Sequence, residues 1–233
     1  MTQLLVSVRS AEEARLAIEG GAALIDVKEP HLGSLGAASP EVWRAVAETV
    51  DGTRRLSAAL GELRDFLRID ASALASYHFA KLGLAGCADH PDWIDQWRTA
   101  LRSLPPHVQP VAVAYADYAT CAAPSPDEVL EVGHSLGCRA LLIDTYDKSR
   151  GGLLGHLSVT TLDSLVGAAR RRRLLTVLAG SLNRDDVPRL LPLAPDFLAV
   201  RGAVCATSRA GSIDGELVRS FAASLGGQRI HER

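Results

Sequence analysis

Short runs of Val, Leu, Ile and Ala recur eight times along the 233 residues, and helix signals fall between one run and the next. The runs occupy residues 3–8, 24–28, 55–60, 78–84, 110–116, 139–143, 174–179 and 197–200. Unbroken apolar stretches of this length suit strands buried on both faces, as in parallel sheets. Between them lie helix starts with a physical basis. Ser10 with Glu13 forms a capping box, and Ser39-Pro40 places proline in the first turn, where no N–H is needed. Helices are expected over 11–19, 40–49, 91–103, 126–136, 158–170, 183–191 and 213–225. Segment 61–70 is compatible with a short helix, and Asp70 is placed to cap another through residue 76. Strict β/α alternation implies a parallel sheet. Eight units in this length predict a single-domain (β/α)8 TIM barrel spanning residues 1–233. A doubly wound open sheet is the competing reading, but no G-x-G-x-x-G follows the first strand.

Composition narrows the function classes. Apolar residues are 47% and aromatics only 5%, which favours helices packed on a sheet over an aromatic-rich sandwich. A net charge of −2 gives no footing for a nucleic-acid partner. The one basic block, Arg170 to Arg173, reads as a helix C-terminus favoured by the macrodipole. Cys87, Cys121, Cys138 and Cys205 form no CxxC pair, so neither a zinc site nor a redox motif is expected. No stretch has the length of a membrane span. The expectation is a soluble cytoplasmic protein with no cofactor, no metal, no nucleic-acid partner and no membrane partner. Its apolar-rich helices leave room for a homo-oligomer.

In a strand, alternate side chains share a face. Residues 24–30, Leu-Ile-Asp-Val-Lys-Glu-Pro, therefore put Asp26 and Lys28 on one side of a strand that Pro30 ends. Gly33 and Gly36 are expected to make the following loop flexible. Other polar residues collect at the same ends of later strands: Lys81, Asp117, Asp144 with Lys148, Ser181 and Arg201. Active sites of barrels sit at this end.

Lys28, Lys81 and Lys148 are the only lysines in the chain, and arginine supplies the remaining positive side chains. Lysine, unlike arginine, can shed its proton and act as a nucleophile. A Schiff-base lysine needs a depressed pKa, which burial and neighbouring cations provide. Asp26, Asp117 and Asp144 could then shuttle protons. A bland alternative is a set of structural Asp–Lys ion pairs. The turns Gly180-Ser181 and Arg201-Gly202-Ala203 follow strands seven and eight, where barrels often hold phosphate.

Taken in order, D-V-K-x-P with G-S-L-G (26–36), K-L-G-L (81–84), Y-A-D (115–117), L-I-D-T (142–145), L-A-G-S (178–181) and V-R-G-A (200–203) resemble the (5-formylfuran-3-yl)methyl phosphate synthase family. That family is also called 4-hydroxymethyl-2-furancarboxaldehyde-phosphate synthase. The resemblance implies a lyase that condenses two glyceraldehyde 3-phosphate molecules into a phosphorylated furan aldehyde, with loss of phosphate and water. It implies that Lys28 forms the Schiff base, that Lys81 accepts a proton, and that Asp26, Asp144 and Lys148 share the site. It places the product on the way to a methanofuran- or methylofuran-type carrier. Segments 61–70, 149–155 and 206–211 depart from the family pattern. Two alternatives stand beside this reading: another Schiff-base aldolase of sugar phosphates, and a non-catalytic barrel that binds a phosphorylated ligand.

Overall fold

In the computed structural model, residues 1–66 and 71–226 are described. Eight parallel strands close into a barrel in sequence order. They are β1 (Gln3–Val8), β2 (Leu24–Val27), β3 (Arg55–Glu62), β4 (Phe79–Gly83), β5 (Gln109–Tyr115), β6 (Ala140–Asp144), β7 (Leu175–Leu178) and β8 (Phe197–Val200). β1 pairs with β2 on one side and with β8 on the other, so no edge is left open. The helices are α1 (Ala11–Glu19), α2 (Pro40–Val50), α3 (Trp93–Arg102), α4 (Pro126–Ser135), α5 (Leu153–His156), α6 (Val159–Arg171), α7 (Val187–Leu190) and α8 (Gly215–Gly226). None of the described helices is long and apolar enough to cross a membrane.

Alternation along each strand divides the apolar residues into two layers. Val6, Ile25, Val27, Ala58, Ala80, Leu82, Ala112 and Ile143 face outward under the helices. Leu5, Leu24, Phe79, Val111, Val113, Leu142, Val177 and Phe197 fill the barrel. The Arg55 guanidinium lies 5.7 Å from the ring centroids of both Phe79 and Phe197, at the N-terminal ends of their strands. Trp93 and Trp97, one helical turn apart on α3, are buried with ring centroids 6.0 Å apart.

The strict alternation breaks in three places. The β3–β4 connection carries 3₁₀ turns at Leu63–Asp65 and Ala71–Leu74, with no α-helix among its described residues. The expected cap at Asp70 lies outside the described residues. After β7 the expected single helix over 183–191 is three short pieces: a 3₁₀ turn at Arg184–Asp186, α7, and a 3₁₀ turn at Leu191–Leu193. Pro188 and Pro192 each lack the N–H that a continuous helix needs. The loop after β6 contains α5, which no periodicity announced.

The loop after β2 is also tighter than its glycines suggest. Residues Pro30–Leu32 form a 3₁₀ turn, and the Glu29 amide donates to the Gly36 carbonyl at 2.8 Å. A Cβ at Gly36 would overlap the Glu29 carbonyl oxygen, so glycine is there for close approach.

Candidate active site

The interior register of neighbouring strands builds the site. Ser7, Asp26 and Ser57 are register partners across β1, β2 and β3. The Ser7 hydroxyl donates to Asp26 Oδ2 at 3.0 Å. Lys81, from β4, reaches across to form a buried ion pair with Asp26, and its ammonium donates to Ser57 Oγ at 3.1 Å. On the opposite wall, Asp144 ends β6 and pairs with Lys148 four residues on. Lys148 also donates to the Thr145 carbonyl and, at 3.0 Å, to the Thr145 hydroxyl. Ser34, buried in the β2 loop, donates to the Thr145 carbonyl at 2.9 Å and ties that loop to the end of β6.

Lys28 stands between these two ion pairs. It is 8% exposed. Its amine has no hydrogen-bond or ion-pair partner among the described residues, and its side chain lines a cavity of about 220 Å³. Burial drives its pKa down, opposed by Asp144 and Asp26 and assisted by Lys148 and Lys81, to about 8. Burial pushes the Asp26 carboxyl up, but Lys81 and Lys28 outweigh it and hold Asp26 below its ordinary value. Asp144 behaves the same way, pulled down by Lys148 and Lys28. Burial also lowers Lys148 against the pull of Asp144. The arrangement is one free, easily deprotonated amine between two ionised carboxylates, each already holding a cation.

The same cavity is bordered by Gly180, Ser181, Gly202 and Ala203. Gly180 and Ser181 take φ values of 103° and 51°, and their amides make no hydrogen bond among the described residues. Two successive free amides in such a turn are suited to an anion. A non-glycine residue in the left-handed region is costly and concentrates at functional sites.

Two expectations change with the geometry. Asp117 does not line the cavity: its two oxygens accept the amides of Tyr146 and Asp147 at 2.7 and 2.8 Å. It fastens the loop that carries Lys148, with each oxygen held by a backbone amide. Arg201 borders the cavity, but all five of its N–H donors are used. Nε donates to the Arg209 carbonyl. Nη1 donates to the Ser7 carbonyl and Glu13 Oε2, and Nη2 to Glu13 Oε1 and the Gly211 carbonyl, at distances of 2.6 to 3.1 Å. Arg201 cannot take a phosphate without giving up one of these bonds.

The Arg201–Glu13 pair is 4% and 6% exposed at its side chains. Removing one partner of such a pair strands the other charge. Glu13→Ala is expected to lower the unfolding free energy by about 3–5 kcal/mol, read as a fall in the urea midpoint. An unchanged midpoint would contradict this role.

Two residues at the mouth, Glu62 and Arg209, are not among those the sequence singles out. Glu62, at the end of β3, accepts the Tyr115 hydroxyl at 2.5 Å and the Ala85 amide at 3.0 Å. Burial raises the pKa of this carboxyl. A side chain at Gly83 would overlap both groups, so glycine is what admits this buried pair. Arg209 lines the cavity from the loop after β8. A charged residue near a strand end was the usable clue for Glu62; Arg209 lies in a loop with no period to read.

Lysines and carboxylates gathered at the C-terminal mouth of a closed parallel barrel define a (β/α)8-barrel enzyme. The comparisons with known proteins narrow the class. The sequence profile of 4-HFC-P synthase matches residues 4–222. The (5-formylfuran-3-yl)methyl phosphate synthase of Methanopyrus kandleri is 34% identical over 96% of this chain and 98% of its own length. The enzymes of the same name from Archaeoglobus fulgidus and Methanosarcina acetivorans are each 32% identical, over 93% and 95% of this chain and 96% and 98% of their own lengths. The chain belongs to the 4-HFC-P synthase family. Among solved structures it is similar to phosphoribosyl anthranilate isomerase from Thermotoga maritima, with a TM-score of 0.62 and 19% identity over 97% of this chain and 100% of that one. It is also similar to thiamine phosphate pyrophosphorylase from Pyrococcus furiosus, with a TM-score of 0.62 and 16% identity over 97% of each chain. At such identities the likeness shows the fold alone.

Proposed function

We propose that this enzyme condenses two molecules of glyceraldehyde 3-phosphate into (5-formylfuran-3-yl)methyl phosphate through an imine on Lys28. Inorganic phosphate and two waters are released. The observation that carries the reading is that, of three lysines at the mouth, Lys28 alone has no carboxylate partner among the described residues. A neutral amine is what attacks an aldehyde.

The geometry suggests the roles. Lys28 adds to the aldehyde of the first triose phosphate, and Lys81 gives its proton to the departing hydroxyl as the imine forms. Lys81, now a free amine beside Asp26, removes the proton from C2. Expulsion of phosphate from C3 follows, and Lys148 donates to the leaving oxygen. The remaining enol imine is nucleophilic at C3. The second triose phosphate first isomerises to its ketone: Lys148, its proton spent on the leaving phosphate, takes the C2 proton and returns it at C1 while the hydroxyl proton passes from O2 to O1. The nucleophilic carbon then bonds to C2 of this ketone. Closure of the ring through the C1 oxygen of that second triose, with loss of two waters, makes the furan aromatic. Hydrolysis of the imine frees the aldehyde and returns Lys28. The aromatic product makes the sequence effectively irreversible. By its family, the product supplies the furan core of a methanofuran- or methylofuran-type carrier.

Mass spectrometry after incubation with glyceraldehyde 3-phosphate alone tests the reading. A phosphorylated furan aldehyde is the expected product. An acyclic six-carbon diphosphate would instead establish an ordinary Schiff-base aldolase. Absence of any product and of any imine would leave a phosphate-binding barrel.

A further inference from the structure

The reading above requires two phosphorylated molecules at one mouth, and the cavity around Lys28 is small, at about 220 Å³. Two phosphate groups there would also repel each other. A second, wider cavity of about 640 Å³ adjoins it, bordered by Gly33, Tyr146, Ser149 and Arg150. Lys148 and Arg209 border both cavities.

The charges in this outer cavity are unevenly matched. Lys148 is held by Asp144, and Arg150 pairs with Asp147 at 3.2 Å. Asp147 is further occupied by the amide and hydroxyl of Ser149. The side chain of Arg209 has one hydrogen bond, from Nη2 to the Gly33 carbonyl at 3.5 Å. Its remaining donors have no partner among the described residues. Arg201, which is itself saturated, grips the backbone at this residue and two residues beyond it, through the carbonyls of Arg209 and Gly211. A buried Arg–Glu pair thus holds a loop that presents a second, unsatisfied arginine between two cavities. Guanidinium groups match phosphate oxygens in pairs.

We infer that the outer cavity is a second phosphate seat, in which Arg209 and Arg150 hold the phosphate of the second triose while the Gly180-Ser181 turn holds that of the first. Arg209 lies between the seats and screens one phosphate from the other. The two three-carbon chains then meet at Lys28 from opposite sides. The inference rests on the two-substrate reading given above.

Equilibrium titration with inorganic phosphate at fixed ionic strength tests it without requiring any chemistry. The unaltered protein is expected to bind two molar equivalents, Arg150→Gln one, and Arg209→Gln no more than one. In kinetics, Arg150→Gln is expected to raise KM for glyceraldehyde 3-phosphate at least 10-fold. Borohydride should still trap the imine of a single triose on Lys28 to the extent seen in the unaltered protein. Binding of fewer than two equivalents by the unaltered protein, or of two by both variants, overturns the second seat. Failure to form imine or furan would overturn the reaction instead, and the phosphate stoichiometry would still be read.

Discussion

Lys28→Ala is expected to abolish furan formation, lowering kcat/KM by at least about 10³-fold, and to remove the adduct that borohydride traps with glyceraldehyde 3-phosphate. The fold should survive, because the Lys28 amine holds no partner among the described residues whose loss would strand a charge. Lys28→Arg should be as inactive, since arginine keeps its proton and forms no imine. Alanine at Lys81 or Lys148 is not an equivalent control: it would leave a buried carboxylate without its cation. Stability carries a matching signature. The folded amine gives up its proton near pH 8, whereas an unfolded lysine keeps it to about 10.5. Between those values the unfolded chain binds more protons, so the contribution of Lys28 to stability rises with pH across that window. Retained turnover in Lys28→Ala, or borohydride labelling at another lysine, would remove Lys28 from the mechanism.

The barrel was legible because its strands are short apolar runs separated by capped helices, and that alternation has few architectures open to it. The elements that escaped lacked such a pattern. The β3–β4 connection has no helical period, and Pro188 and Pro192 divide a segment whose apolar spacing looked continuous. Strand alternation also put Asp26 and Lys28 on one face, since a period of two fixes the face once the strand is known, and Lys81 and Asp144 stood out by their places at strand ends. It could not say which polar side chains stay free. Asp117 is taken up by two amides from 29 and 30 residues away, and Arg201 by a carboxylate 188 residues away. Those partners come from other loops, and no local spacing reveals them. Lys28 was marked out by the converse, the lack of a partner, which is equally invisible along the chain. Ser34 shows the middle case: its motif was conspicuous, but its bond to the Thr145 carbonyl appears only when the β2 and β6 loops meet.

Asp144→Asn should have the second large effect, a fall of about 10²- to 10⁴-fold in kcat, because it frees Lys148 from its anchor and removes a carboxylate beside the reacting amine. The pH profile separates this from simple damage. In the unaltered enzyme kcat/KM should climb as pH rises through about 8, where Lys28 loses its proton. Asp144 is the strongest charge holding that proton on against burial, and Lys148 is the strongest neighbouring cation working to expel it. Asp144→Asn should therefore move the rising limb to lower pH. Lys148→Met should move it higher, since the cation is gone and Asp144 acts on Lys28 unopposed. Opposite shifts from the two members of one ion pair cannot come from a general loosening of the site, which would move both limbs alike. Shifts in the same direction, or none, would mean that the rising limb belongs to a group other than Lys28.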